Sequence, residues 1–190
     1  MKSNTLIIAL VSFVVFSLNA QIIHVPANQP SIQAGINAAT NGDTVLVDEG
    51  TYIENIRFMG KAITVASMYI LDADTNHINN TIIDGSMAQN PDSAATVMFI
   101  NGEDTTSILN GFTITGGSGV HFPNWQMMAG GGVYTYNSGS KIINNKVINN
   151  QVEGNQNAGG SGIQCIKGAD ITWAVIANNT ISHNTSKALG

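Results

Sequence analysis

The stretch DADTN, at Asp72–Asn76, places side-chain oxygens at alternate positions, the spacing that calcium loops use. A complete EF-hand loop would need glycine at position 77 and glutamate at 83, where this chain has His77 and Ile83. Asp72, Asp74 and Asn76 are therefore expected in a solvated loop, and any Ca2+ held there would serve structure before chemistry. A second stretch, HFPNWQMM at His121–Met128, offers flat rings. His121, Phe122 and Trp125 could form a platform on which a sugar ring stacks its apolar face. The competing role for the same rings is to fold back over the core.

The other titratable groups do not assemble into a constellation. Asp43, Glu49 and Glu54 lie in turn-rich sequence, where closing turns and accepting hydrogen bonds is the ordinary work of a carboxylate. Asp48, Asp84, Asp92, Glu103, Asp104 and Asp170 are scattered. His24, His77, His121 and His183 show no metal-ligand spacing, and no Ser-His-Asp set can be assigned. Arg57 is the single arginine; near Glu54 in sequence, it is expected to be that residue's charge partner rather than a catalytic base. Cys165, the single cysteine, sits in GIQCI without a His or Lys to activate it, and is expected to be a buried, inert thiol. No catalytic residue is assigned.

Composition narrows the class further. Of the 190 residues, 10% are charged, against about 25% in an ordinary globular chain. Polar surface must therefore come from Asn, Thr, Ser and Gly. With a net charge of −5 and no basic stripe, nucleic acid is excluded as the natural partner. The hydrophobic fraction of 43% argues for a packed core. Residues 1–20 read as a signal peptide: Lys2, an apolar run at Leu6–Leu18, and a small residue at Ala20. That run is shorter than the ~20 residues a membrane span requires. The mature chain, residues 21–190, is thus expected to be secreted or on the outer cell surface, with no membrane span after cleavage.

The elements that must position these side chains start with a helix. Pro30 suits a first turn, Ile32, Ile36 and Ala39 share one face, and Asn41-Gly42-Asp43 ends the run. Thr44–Gly50 follows as a strand. Further strands are expected near Glu54–Phe58, Ala62–Ser67, Thr81–Asp84, Thr96–Ile100 and Ile108–Thr115, with little helical period after Ala39. Then a phrase recurs: NNKVINN at Asn144–Asn150 returns 34 residues later as NNTISHN at Asn178–Asn184, and GFTITGG at Gly111–Gly117 is a looser copy upstream. A fixed period of 20–50 residues marks a solenoid. Short strands between Asn and Gly corners make it a parallel β-helix, with Asn145, Asn150, Asn179 and Asn184 at the same corners of successive coils, hydrogen-bonding from coil to coil.

The segments PSIQAGINAA, GDTVLV and EGTYIENI, together with TIIDG, LNGFTITGG, GGGV and the asparagine phrases, resemble the pectate-lyase-like superfamily of secreted bacterial proteins. The resemblance covers nearly all of residues 22–190, with Gly35 where an alanine is more usual. It implies an all-β fold, a right-handed parallel β-helix with a short N-terminal capping α-helix and about four coils. Such proteins commonly continue for more coils, so the chain is expected to be truncated at its C-terminus. Methylesterases of this type carry a Gln-Asp pair and an Asp-Phe strand that are missing here. The function implied is a secreted or cell-surface scaffold whose partner is a polysaccharide or surface glycan. The alternative is a calcium-dependent polysaccharide lyase or hydrolase with catalytic coils beyond residue 190. N-terminal sequencing of protein exported by a secreting host should read from Gln21; an intact Met1 would refute the leader.

Overall fold

The computed structural model describes residues 20–123, 127–154, 157–167 and 173–188. The expected leader, except Ala20, therefore lies outside the described residues, as do Trp125 and Asp170.

Strand β1 (Ile22–Val25) leads into helix α1 (Ile32–Ala38). Ser31 is the N-cap, its Oγ accepting the Ala34 N–H at 3.1 Å, so Pro30 precedes the cap instead of sitting in the first turn. Two more amides left free at this end, those of Ile32 and Gln33, donate to Glu54 Oε1 and Oε2 at 2.8 and 2.9 Å. At the other end Lys61 Nζ donates to the carbonyls of Ile36, Asn37 and Ala39. A helix of seven residues does not persist alone, so these contacts and its buried face hold it in place. Gly35 lies on that face. A Cβ there would fall 2.7 Å from Val45 Cγ1, which is why alanine does not fit.

Four coils follow. The first holds β2 (Thr44–Val47), β3 (Gly50–Ile53) and β4 (Ile56–Arg57). The second runs through β5 (Thr64–Ser67), α2 (Tyr69–Asp72), α3 (Thr75–Asn80), β6 (Thr81–Asp84), β7 (Ser93–Ala94) and β8 (Val97–Phe99). The third has β9 (Ile108–Asn110), β10 (Thr113–Thr115), β11 (Gly119–Phe122), β12 (Met127–Ala129) and β13 (Val133–Tyr136). The fourth has β14 (Lys141–Ile143), β15 (Lys146–Ile148), β16 (Gln151–Gly154), β17 (Asn157–Ala158) and β18 (Ile163–Ile166). A last rung consists of β19 (Val175–Ala177), β20 (Thr180–Ser182) and β21 (Thr185–Ala188).

Equivalent strands pair in parallel, which makes this an all-β parallel β-helix of about four turns. One sheet runs β1-β2-β5-β9-β14-β19, a second β3-β6-β10-β15-β20, and a third β4-β8-β13-β18. Register places apolar residues in inward rows: Ile23, Val45, Val65, Leu109 and Ile142 on the first sheet, Ile83, Ile114 and Val147 on the second. Ile56, Val97 and Val133 do the same on the third, and all of these side chains are buried. A fourth, mixed sheet, β7-β11-β12-β17, contains the antiparallel β11–β12 pair.

The coils differ in length. Along the first sheet Thr44 pairs with Thr64, Thr64 with Ile108, Ile108 with Lys141 and Lys141 with Val175, steps of 20, 44, 33 and 34 residues. The longest step contains α2 and α3, helices that the sequence pattern does not show because neither buries a residue. The strand expected over Ile108–Thr115 divides at Gly111, where φ is +86°.

Each asparagine phrase frames a strand with two corners, and the two members of each pair do different work. Asn144, Asn149 and Asn178 take left-handed backbone, as do His183 and the matching Gly111 and Gly116. The second member turns inward to bond three coils together. Asn150 accepts the Gly117 N–H at 2.9 Å through Oδ1, while its Nδ2 donates to Ile114 O in the coil before and Asn184 Oδ1 in the coil after. Asn145 links Phe112, Leu109 and Asn179 in the same way. Asn150→Ala should strand buried amide and carbonyl groups and cost about 3 kcal/mol, lowering the melting temperature by roughly 6–12 °C. Asn149→Gly keeps the corner and should stay within about 0.5 kcal/mol. Thermal melts showing equal losses for both would refute the division of labour.

Candidate functional site

The α2–α3 insertion stands beside the second sheet, and a groove of about 350 Å³ runs between them. Tyr69, Thr75, Ile78 and Asn79 supply the insertion's side; Asn144, Asn145, Lys146, Asn178 and Thr180 supply the coils' side. The walls are tied together. Thr113 Oγ1 donates to Ile78 O at 2.7 Å, and Lys146 Nζ donates to Asn79 Oδ1 at 3.1 Å.

Tyr69 owes its position to a glycine. Its N–H donates to Ser67 Oγ at 3.3 Å, and its side chain lies over the Gly111 corner. A Cβ at Gly111 would fall 2.6 Å from Ser67 Oγ and 3.0 Å from Tyr69 Cβ. Where later coils have Asn144 and Asn178, the third coil thus has a residue without a side chain, and the half-buried phenol ring occupies the space. Asn144 Nδ2 donates to Asn110 Oδ1 at 2.9 Å, and Asn178, one coil further along, is exposed. The groove therefore offers an aromatic ring, an ammonium, hydroxyls and a row of amides. None of its lining side chains is a carboxylate or an imidazole, so its chemistry is stacking and hydrogen bonding.

A second hollow, of about 380 Å³, lies beside Arg57 and is lined by Asn55, Met87, Gln89, Asn90 and Met98 among others. It has no aromatic ring to stack on a sugar. Arg57 Nη2 donates to Ser93 Oγ at 2.7 Å. The expected pairing with Glu54 does not form, because both Glu54 oxygens hold α1.

The described candidate residues of DADTN and HFPNWQMM have local roles, and Trp125 lies outside the described residues. Asp72 ends α2 and accepts the Asp74 N–H, which with other contacts holds its carboxyl below the usual carboxylate range. Asp74 is the N-cap of α3, accepting Asn76 N–H at 2.9 Å and Asn76 Nδ2 at 3.3 Å. The alternating oxygens thus cap a helix and close turns in the insertion that walls the groove. Glu49 Oε1 lies 2.8 Å from His77 Nδ1, and Asp72 Oδ2 lies 3.3 Å from His77 Nε2. Facing opposite nitrogens of one ring, these carboxylates do not converge on one ion. Among the described residues no group of three His, Cys, Asp or Glu side chains is placed to hold a metal.

His121 lies on β11, its Nδ1 3.6 Å from Asp92 Oδ1. Phe122 packs edge-on against Tyr134, with centroids 5.6 Å apart, in a satellite cluster with Ala95, Met98 and Val120. Burial pushes the Tyr134 phenol up to about 12. Asp43 closes its turn by accepting the Thr40 and Gln21 N–H groups, and these bonds hold its carboxyl low. Cys165 is exposed, contrary to expectation. It pairs in register with buried Thr135, but among the described residues no strand covers the far edge of β18. Sequence reasoning missed Tyr69, Asn79, Lys146 and Asn178. Its one available signal was the glycine at 111 in a corner row that the later coils fill with asparagine.

Fold and groove together define a parallel β-solenoid with a polar, aromatic-walled side groove. The chain matches no protein-family model, no curated protein and no solved structure. No helix among the described residues is long and apolar enough to cross a membrane. Gly111→Ala should lose at least about 2 kcal/mol, from left-handed strain and the Tyr69 contact together. The same change should move the Tyr69 ring resonances in NMR spectra; unmoved resonances would mean the glycine does not seat the ring.

Proposed function

We propose that this protein is a secreted or cell-surface scaffold that binds a polysaccharide or surface glycan along the groove beside the second sheet. The carrying observation is the seating of Tyr69 over the Gly111 corner, facing amides and an ammonium contributed by successive coils. A sugar chain needs a flat apolar ring and a supply of neutral donors and acceptors, and the groove holds both on a rigid wall. Export is supported by the leader-like residues 1–20, and kinship with the pectate-lyase-like superfamily by the motifs quoted above. A lyase on this fold would need a base beside carboxylates that hold calcium. The groove's cation, Lys146, is bonded to Asn79, and its lining side chains include no carboxylate, so binding is the reading preferred.

Screening the mature protein against an array of polysaccharides should identify a retained glycan. Tyr69→Ala should then weaken binding by about fivefold or more, and Asn178→Gly, which keeps the left-handed corner, by a smaller factor, with the β circular dichroism of the coils unchanged in both. A protein that retains no glycan would refute the reading. Loss on His121→Ala but not on Tyr69→Ala would move the site to the β11–β12 hairpin.

A further inference from the structure

The insertion that walls the groove is held by polar contacts, since no residue of α2 or α3 is buried. Three of those contacts meet at Glu49, in the turn between β2 and β3, or at the ring of His77. Glu49 Oε1 faces His77 Nδ1, Asp72 Oδ2 faces His77 Nε2, and Glu49 Oε2 accepts from Asn80 Nδ2 at 3.3 Å. A neutral imidazole has one N–H and can satisfy one carboxylate. Its other nitrogen would then point a lone pair at the second. Both contacts are made together only by the imidazolium.

We infer that His77 is a proton-operated clasp on the groove wall, closed when its ring is charged and loosened when the ring is neutral. The proposal rests on the groove as binding site only for its use to the protein; the clasp stands on its own geometry. The charges that reach the ring, those of Glu49 and Asp72, favour the closed form. Asp74 caps α3 one turn before His77, Asp84 on β6 turns away to accept the Ser86 N–H, and β10 presents Thr113. Tyr69 on α2 is the remaining titratable side chain of that helix, and Lys146 on β15 is engaged by Asn79.

Burial of the ring pulls its pKa down, but the hydrogen bonds the ring donates to the Glu49 and Asp72 carboxylates, with their charge, outweigh this, leaving it above the usual 6.5. A folded-state value raised above the unfolded one gives stabilisation that is fully present below about 6.5 and lost as pH rises through the folded value. Asp72, held low chiefly by the Asp74 amide, keeps its charge on the acid side of that window.

The test needs no glycan, so failure of the binding reading and failure of the clasp would be seen separately. NMR should show the His77 ring titrating above 6.5 in the wild type, and Glu49→Gln should bring that value down. Hydrogen exchange of residues 75–80, corrected for its intrinsic pH dependence, should show about fivefold more protection near pH 5.5 than near pH 8.5. In His77→Gln that difference should vanish while exchange in the coils is unchanged. A ring that titrates at or below the usual value, or a pH difference that survives in His77→Gln, would overturn the clasp.

Discussion

A parallel solenoid has to satisfy buried backbone groups at every corner, where strands end and the ladder of main-chain hydrogen bonds is interrupted. Asn145 and Asn150 meet that requirement with one side chain per corner, each bonded to the coil before and the coil after. Everything else follows from the register they enforce. The inward apolar rows coincide because the corners coincide, and the strands stay short because a corner returns every few residues. At the positions matching Asn145 and Asn150 the third coil takes part through backbone: Phe112 and Gly117 donate their N–H groups to the asparagines above. Its corner positions are therefore free to hold a phenylalanine and glycines.

The opening of the fold solves a different problem with charge. An exposed end of an apolar core needs a cover, and α1 is too short to be a stable one unaided. Glu54 grips its N-terminal amides and Lys61 its C-terminal carbonyls, each partner opposite in sign to the helix end it touches. Two of the few charged residues in the chain are thus committed to a seven-residue helix. Glu103 is a third such case: it is buried, accepting from the amides of Gly60 and Asn101 and from Ser138 Oγ, and so braces neighbouring coils.

Much of this was legible in the sequence, because a solenoid writes its corners as a repeat. The period between NNKVINN and NNTISHN pointed to the coil, and the run from Pro30 to Asp43 pointed to the capping helix. Within each pair the roles were less visible, since asparagine suits both left-handed backbone and inward hydrogen bonding. The groove was not legible. Tyr69, Lys146 and Asn178 belong to the second, fourth and last rungs, and only strand register brings them together. The helices of the insertion left no apolar period because they bury nothing. Cys165 was misread because its position alternates inward while its neighbour on the next rung is missing from the described strands.

The 44-residue second coil has one more consequence. Its surplus leaves the solenoid after β5 and returns at β6, both strands already fixed by partners on either side. The segment between them can therefore change in length or composition without disturbing the stacking of the core. In descent, a lineage could exchange this one segment and acquire a different groove on an unaltered frame, so the shape and lining of the groove should diverge faster than the architecture.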